Sequence, residues 1–420
     1  MRTDIAIIGG GLTGLMMARA LTTTGADILL VDRQSAGRLS DTDSLPDERT
    51  TTINAAGMRM LQTLGVEDNL QQEATPIMRI AVAEGAPLSG LAARRRPNTD
   101  LSWQASDTPM AYVVSNADLQ AALTTTLAAV SDGFGSIEIL SGTVLTGMVR
   151  DAGSMRLDIE DAHGKRSHRL ADLVVACDGN NSKVAEFANL AARQERPFQT
   201  AIVSVLRAER DHENTAFQRF LPTGPFALMP MSGQHLSLVW TLPDDDAQTL
   251  LAADDQAFEA ACLDAFGQSL GYLHLAGQRL AWPLRPSIRK RITGAGVVLA
   301  GDAAHALHPV AGQGYNLALA DAAVLADCLA RARARGLSSG HPSIWQAYEA
   351  ARRTERLAMS AATSGINQLF VRSPAFVRRM AGAGFAVLDK SPVKTVFSRI
   401  AEGGELADAA LLRGKFPGTL

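Results

Sequence analysis

The chain of 420 residues contains little cysteine and few aromatic residues, and its charges nearly balance. The three cysteines (Cys177, Cys262 and Cys328) are too few and too widely spaced for a disulfide framework or a CxxC motif, which indicates a reducing compartment. Lys and Arg number 40 against 43 Asp and Glu, a net charge of −3, so no overall basic charge favours nucleic acid as a partner.

Long hydrophobic runs and several catalytic motifs are also absent. The uncharged run 303–320 contains Pro309, Gln313 and Asn316 and does not predict a membrane span. The apolar residues 4–8 run directly into glycines, without the cleavage site of a targeting segment. No GxSxG, HExxH or GxxxxGK[ST] string occurs, which argues against a serine hydrolase, a zinc protease or a P-loop enzyme. We therefore expect a cytoplasmic protein without a metal site.

What is present first is an alternation of strand and helix patterns. Apolar runs at 4–8 and 26–32 flank a helical pattern at 12–24, which predicts a βαβ unit and a parallel sheet. Period-two patterns over 137–175 and 198–242 predict further strands and a second sheet. The predicted fold class is α/β, with a Rossmann-like domain interleaved with an α+β domain, followed by C-terminal helices.

A glycine motif lies between the first predicted strand and helix. Gly9, Gly11 and Gly14 form GxGxxG, in which the glycines allow a tight turn, close approach of a pyrophosphate and close packing of helix on strand. Asp32 ends the second strand, where a carboxylate can bind ribose hydroxyls. The motif predicts a nucleotide site and leaves FAD and NAD both open.

A second motif follows the predicted strand at 294–300. Gly301 and Asp302 place a carboxylate at the end of that strand, where it can bind a polyol such as the ribityl chain of a flavin. The string PVAGQGYN at 309–316 then leads into a long helix, and its glycines would allow a flat ring to lie against the backbone. A helix N-terminus there would stabilise negative charge on a reduced flavin.

Three segments resemble the FAD fingerprints of the class A flavoprotein monooxygenases, the superfamily of para-hydroxybenzoate hydroxylase. They are GGGLTGLMMARAL…VDR, ADLVVACDGNNSKV and VVLAGDAAHALHPVAGQGYNLALADA. Within the superfamily, DERTTTINAAGMRMLQTLG, YVVSNADLQAAL, GPFALMPM, LSLVWTLP and WPLRP resemble the ubiquinone-biosynthesis hydroxylase branch. The resemblance implies a para-hydroxybenzoate hydroxylase-like fold with three parts: an FAD-binding domain at 1–75, 100–180 and 276–345, a substrate-binding domain at 76–99 and 181–275, and a C-terminal helical region at 346–420.

The resemblance also implies which residues bind FAD. Those expected at the nucleotide half and the phosphates are Gly9, Gly11, Leu12, Thr13, Gly14, Asp32, Arg33, Arg49 and Asn116. Asp178 and Gly179 form a DG motif associated with FAD and with transient NAD(P)H contact. Those expected at the ribityl chain and the isoalloxazine ring are Gly301, Asp302, Pro309, Gly312, Gln313, Gly314, Tyr315 and Asn316. No catalytic base is identified.

The activity implied is hydroxylation of the aromatic ring of a prenylated phenol in ubiquinone biosynthesis, through a flavin C4a-hydroperoxide. Its co-substrates would be O2 and either NAD(P)H or a protein electron donor. Two alternatives stay open: a hydroxylase of small soluble phenols, and an FAD-binding assembly or scaffold protein with little activity of its own.

The C-terminal region combines basic and apolar residues. Between Arg372 and Ile400, basic residues alternate with Phe376, Phe385 and Phe397, among others. This composition suits peripheral contact with a membrane or with a biosynthetic complex, and equally a helix that packs on the core with its charges in water.

Overall fold

A computed structural model of the chain describes residues 1–34, 49–70, 74–85, 101–130, 134–190, 192–194, 199–307, 314–372 and 408–418. Its helices are α1 Leu12–Thr22, α2 Ala55–Thr63, α3 Asn116–Ala128, α4 Lys183–Phe187, α5 Asp244–Ala252, α6 Asp255–Phe266, α7 Gly314–Arg333 and α8 Pro342–Arg372. No helix in these ranges combines the length and apolar character needed to span a bilayer.

The strands fall into two large and two small sheets. In chain order they are β1 Arg2–Ile8, β2 Ile28–Val31, β3 Thr50–Asn54, β4 Thr75–Ile77, β5 Arg79–Glu84, β6 Leu101–Gln104, β7 Ala111–Ser115, β8 Ile137–Leu140, β9 Val144–Asp151, β10 Ser154–Glu160, β11 Arg166–Ala176, β12 Ala192–Gln194, β13 Gln199–Ala208, β14 Thr215–Leu221, β15 Gly224–Pro230, β16 His235–Pro243, β17 Leu273–Leu275, β18 Leu280–Pro283, β19 Ser287–Arg289, β20 Thr293–Gly294, β21 Val297–Leu299 and β22 His305–Ala306.

The first large sheet has the order β20-β21-β11-β1-β2-β8, extended by β10 and β9. Strands β21, β11, β1, β2 and β8 run parallel, and the apolar residues of β1 and β2 are buried because the sheet is covered on both faces. The carboxyl ends of β1, β2, β11 and β21 therefore meet at one edge of this parallel sheet. Each of these ends leads into one of the sequence motifs.

The second large sheet has the order β17-β13-β16-β15-β14-β5-β6, with β18 also paired to β13. Its central strands pair antiparallel, so alternate side chains face opposite sides. On one side, Phe226, Leu228 and Trp240 pack against Phe258 and Phe266 of α6, forming a separate hydrophobic core. We call this side of the antiparallel sheet its outer face and the opposite side its inner face.

A three-stranded sheet, β3-β7-β4, connects the two large ones. Ile77, Ala111 and Val113 of β4 and β7 cluster with Ala216 of β14 on the inner face. The inner face of the antiparallel sheet therefore packs, at this point, against the three-stranded sheet.

The predicted α/β fold with two sheets is confirmed. One predicted strand differs, because 294–300 forms two strands, β20 and β21, that pair antiparallel. The turn between them contains Gly296 at φ +77°, a conformation that ends an extended strand. The domain boundaries remain a prediction.

Candidate cofactor and substrate site

The glycine motif forms the turn between β1 and α1. A Cβ added at Gly14 would overlap the carbonyl oxygen of Gly9, so this close approach of helix and turn requires glycine. A Cβ added at Gly11 would meet no atom within 4 Å, so the space in front of Gly11 is open. Gly11 is the N-cap of α1 and provides no side-chain cap, and the first turn contains no acidic residue. The backbone N–H groups at this helix end can therefore bind an anion.

Asp32 lies beside this turn, immediately after β2. A Cβ added at Gly10 would come within 2.7 Å of Asp32 Oδ2, so the carboxylate lies against the glycine turn. The Asp32 backbone is fixed by hydrogen bonds to Leu140 O and from Thr143 N. The fold thus brings the predicted ribose ligand together with the predicted pyrophosphate turn, and Arg33 follows it in the chain.

The Gly301–Asp302 motif contacts the same helix end. Gly301 has φ +56°, and a Cβ there would come within 2.8 Å of Thr13 Cγ2, so the turn approaches α1 closely. The Asp302 side chain reaches solvent, but the protein around its carboxyl group raises the pKa by desolvation, and the charge of His305 opposes this rise. The two motifs, distant in sequence, form one continuous surface.

The start of α7 is hydrogen-bonded to α1 and to β3. The Tyr315 hydroxyl donates to Leu12 O of α1 at 3.4 Å, and burial raises the pKa of Tyr315. Asn316 Oδ1 accepts from Asn54 N at 2.9 Å, and its Nδ2 donates to Thr52 O at 3.0 Å. Asn316 thus clamps α7 to β3.

The ring contact predicted for Asn316 remains a prediction. A Cβ added at Gly314, the first residue of α7, would meet no atom within 4 Å, so there is open space in front of this residue. Pro309, Gly312 and Gln313, also predicted at the ring, lie outside the described residues.

Asp178 and Gly179 follow β11 at the same edge of the parallel sheet. Asp178 Oδ2 accepts from Lys183 N at 2.7 Å and from Val184 N at 3.3 Å, and so caps α4. Its other oxygen, Oδ1, is buried and has no hydrogen-bond partner within the described part of the chain. Desolvation raises the pKa of Asp178, and the hydrogen bond from Ser182 opposes the rise.

Arg49 and Asn116 are connected at the start of β3. Asn116 N donates to Arg49 O at 3.0 Å, and Thr51 Oγ1 donates to Asn116 Oδ1 at 2.6 Å. The Arg49 guanidinium lies 4.7 Å from the centre of the Trp282 ring on β18, a cation–π contact. The adjacent residue, Thr50, donates to Ser237 Oγ on β16 at 2.8 Å. Two consecutive residues thus fasten this edge to the antiparallel sheet.

A buried carboxylate that sequence reasoning missed holds the Gly301 turn. Asp321 of α7 accepts from Gly301 N at 2.9 Å, from His305 Nε2 at 2.8 Å and from Arg352 Nε of α8 at 2.7 Å. Burial by itself would raise the pKa of Asp321, but the charges of His305 and Arg352 hold it well below its usual range. The same ion pair raises the pKa of Arg352, against the effect of its own burial.

Further buried cations of α8 and β19 surround this carboxylate. Arg289 Nε donates to Ala303 O at 2.7 Å, and Arg356 donates to the carbonyl oxygen of Arg289. Tyr348 donates to Leu299 O at 3.0 Å. The sequence signal was the spacing of Arg352 and Arg356 by one helical turn, which places them on the same side of a helix.

The inner face of the antiparallel sheet contains small and aliphatic side chains. Cross-strand pairing sets Ala201 opposite Thr241, Val203 opposite Val239, and Gln218 opposite Ala227. The strings FALMPM and LSLVWTLP supply Ala227, Met229 and Val239 to this face, whereas their residues Phe226, Leu228, Leu236, Leu238, Trp240 and Leu242 pack into the outer core.

The outer face also contains a cavity of about 280 Å³, lined in part by Arg79, His212 and Phe217. Both ring nitrogens of His212 are in hydrogen bonds, with Met231 O at 2.9 Å and Asn214 N at 3.1 Å. This arrangement explains His212 as a structural residue. No group of three or more His, Cys, Asp or Glu able to hold a metal occurs among the described residues.

Comparisons with known proteins agree with this geometry. The profile of the FAD binding domain family matches residues 2–362. Ubiquinone hydroxylase UbiL of Rhodospirillum rubrum is 36% identical over 403 residues, which cover 95% of this chain and 89% of that protein. The 3-demethoxyubiquinol 3-hydroxylase of Escherichia coli is 28% identical over 363 residues, 85% of this chain and 87% of that protein. The structure of p-nitrophenol 4-monooxygenase PnpA from Pseudomonas putida superposes with a TM-score of 0.74 at 16% identity, covering 96% of this chain and 99% of that one, which is a likeness of fold.

Proposed function

Because the chain belongs to the FAD binding domain family, and with it to the class A flavoprotein monooxygenases, we propose that it hydroxylates the aromatic ring of a polyprenylated phenol in ubiquinone biosynthesis. The cofactor is FAD. The names of the relatives from R. rubrum and E. coli support the pathway, and the site supports the chemistry.

The residues present fit this cofactor. The uncapped N-terminus of α1 offers N–H groups to a pyrophosphate, and Asp32 offers a carboxylate beside it. Asp302 follows β21 and can bind the ribityl hydroxyls, and the buried Asp178 Oδ1 is a further acceptor, without a partner among the described residues. These assignments, together with Arg49 at the phosphates, are part of the proposal.

The observation that carries the proposal is the inner face of the antiparallel sheet. Ala201, Val203, Ala227 and Val239 form an apolar surface of small side chains on this face, and Arg49 and Thr50, at the start of β3, contact the same sheet through Trp282 and Ser237. Such a surface can contribute an apolar wall to an aromatic ring with an isoprenoid tail.

FAD, when bound, supplies the redox and oxygen chemistry that amino-acid side chains lack. The chain itself binds and orients the two reactants and keeps water away from them. Exclusion of water from the site matters because water in it would allow O2 to be consumed without hydroxylation of the phenol. Asn316 joins α7 to β3 by hydrogen bonds, and the Thr50–Ser237 hydrogen bond joins β3 to the antiparallel sheet. These bonds fix the cofactor edge relative to the inner face.

The test uses purified protein, its flavin absorbance and a prenylated phenol. We expect yellow wild-type protein, loss or weakening of the flavin bands in Asp302→Ala, and phenol-stimulated flavin turnover that ends in product with one added oxygen atom. NADH, NADPH and a reductase protein are compared as electron donors. A colourless protein that refuses added FAD would contradict the proposal at its base.

The same phenol without its tail separates two hydroxylase functions. Faster turnover with the tailed phenol supports the proposal, and equal or faster turnover with the short one supports a hydroxylase of small soluble phenols. Flavin binding without turnover on any phenol supports a scaffold protein.

Peripheral membrane contact through the basic C-terminal region is also part of the proposal, and residues 373–400 lie outside the described ranges. Interleaved basic and aromatic residues can bind an anionic lipid surface. Truncation after Arg372 is expected to abolish co-sedimentation with anionic vesicles while FAD stays bound. Unchanged co-sedimentation would exclude this role.

A further inference from the structure

Gln218 is a polar residue of the inner face whose side-chain hydrogen bonding is incomplete among the described residues. It lies in the middle of β14, and its side chain is buried at 7% relative exposure. Its Oε1 atom is buried and has no donor within hydrogen-bond distance among the described residues. A buried amide oxygen without a donor is unfavourable unless a bound molecule supplies one.

The direction of this side chain follows from the strand register. Gln218 pairs with Ala227 of β15 and with Val82 of β5, and Ala227 pairs in turn with Val239 of β16. Directly paired residues lie on the same face of a sheet, and neighbours along a strand lie on opposite faces. Since Phe217 packs against Phe266 of α6, Gln218 faces the inner side.

The amide nitrogen of Gln218 has an acceptor nearby. Gln218 Nε2 lies 3.5 Å from the carbonyl oxygen of Phe226, so the amide nitrogen faces that acceptor and Oε1 is left as a buried acceptor without a donor among the described residues. Val82, Ala227 and Val239, its cross-strand neighbours, carry no hydrogen-bond donor in their side chains. An acceptor surrounded by apolar groups is the pattern of a site that orients one polar group of a mainly apolar ligand.

We propose that Gln218 Oε1 accepts the hydrogen bond of the phenol hydroxyl and so determines which way round the substrate ring lies. This inference rests on the proposed function and adds a specificity-determining residue to it. The phenol binds as the neutral hydroxyl form, and the accepted hydrogen bond polarises the O–H group toward greater electron density on the ring. The isoprenoid tail then extends over the small residues of the same face.

The experiment compares a geranylated phenol with its methyl ether, which lacks the hydroxyl proton. Binding of each to the FAD-loaded protein is followed by the perturbation of the flavin absorbance. We expect the wild-type protein to bind the phenol about tenfold more tightly than the ether, as the cost of an unmade hydrogen bond to a buried acceptor implies. Gln218→Leu, and Gln218→Met with its closer shape, should remove this preference and leave FAD content and ether binding unchanged.

Phe217→Leu is the matched control, because it alters the same strand from the outer face. It should lower the thermal stability and retain the preference for phenol over ether. Equal weakening of both ligands in the Gln218 variants, or an unchanged preference, would overturn the assignment while the proposed function stands. A wild-type protein that binds neither ligand would overturn the proposed function and this inference together.

Discussion

In the parallel sheet, the residues of the candidate site stand where β1, β2, β11 and β21 end, whereas in the antiparallel sheet they stand along the middle of the strands and on one face. At the parallel edge the contacts are made largely by backbone atoms, which require glycine at Gly14 and Gly301. On the inner face the contacts are made by side chains, and the face on which each side chain lies follows from the alternation of residues along the strand. Substitutions at the parallel edge should therefore change the stability of the fold and the affinity for FAD. Substitutions on the inner face should change the affinity for the substrate.

The largest expected effect tests whether the parallel edge depends on buried charge as well as on glycine. Asp321→Ala would leave Arg352 buried without that carboxylate, and breaking a buried ion pair in this way costs about 3–5 kcal/mol of unfolding free energy. Denaturant unfolding of the FAD-free protein measures the loss, and an FAD titration should show weaker binding. Asp327→Ala, on the same helix, is the control, because Asp327 is half-buried and accepts from Ala410 N at 3.1 Å. Equal stability of the two variants would exclude the role given to Asp321.

The second effect separates packing from ligand binding within the glycine turn. Gly14→Ala forces a Cβ onto the Gly9 carbonyl oxygen and should cost about 3 kcal/mol of stability. Gly11→Ala meets open space, so the FAD-free protein should remain as stable as wild type while FAD binding weakens about tenfold or more. Thermal unfolding and FAD titration of both variants measure the difference. A Gly11→Ala protein that unfolds as readily as Gly14→Ala would contradict the distinction.

The third effect concerns the connection between the two sheets. Removing the Thr50–Ser237 hydrogen bond by Thr50→Val should cost about 1 kcal/mol of unfolding free energy. Ser237→Ala and the double variant complete a double-mutant cycle, in which the two single effects should not add. Strict additivity would show that the bond contributes no coupling between the sheets.

The smallest effect is a change in pH dependence at Asp178. Desolvation raises the pKa of Asp178 in the folded protein above its unfolded value, so the folded state binds the proton more readily and stability falls as pH rises through the interval between the two values. Asp178→Asn, which keeps an acceptor for α4, should remove this contribution. The unfolding free energy of FAD-free protein, measured across acidic pH, tests it.

Asp161 is a control of opposite sign for that measurement. The hydrogen bond from the Lys165 backbone lowers the pKa of this exposed carboxyl, so its contribution rises with pH and Asp161→Asn should remove a slope in the other direction. A shift of the same sign in both variants would contradict the assignment.

The parallel edge was largely predictable from the sequence because its signals are local. Each of its motifs stands beside a predicted strand end, and parallel strand ends meet at one edge. These motifs are the glycines at positions 9, 11 and 14, the acid Asp32 after β2, and the Gly301–Asp302 pair. Helix α5 was not predicted, although Asp244, Asp245 and Asp246 at its start favour a helix N-terminus.

The buried charges and the acceptor on β14 were not predictable for a different reason. Asp321 and Arg352 lie on two helices, and charges at helical spacing do not reveal which side of each helix is covered. Alternation along TAFQRFL places the side chains of Gln218 and Phe217 on opposite faces of the sheet. Only the packing of α6 on Phe217 shows that Phe217 lies on the outer face and Gln218 on the inner face. Pairing between distant segments supplied the information that local patterns lack.

The Asp321 carboxylate has a consequence for the order in which the chain matures during synthesis. The glycine turn leaves the ribosome early, whereas Arg352, which neutralises the carboxylate holding the Gly301 turn, follows more than three hundred residues later. Contacts of such long sequence separation form late, since the intervening chain must first be closed into a loop. A nascent chain that ends before α8 would therefore contain a complete glycine turn, but its Gly301 turn would lack the Asp321–Arg352 ion pair that stabilises it. We expect capture of FAD to coincide with the emergence of α8, so that cofactor loading reports the arrival of this helix.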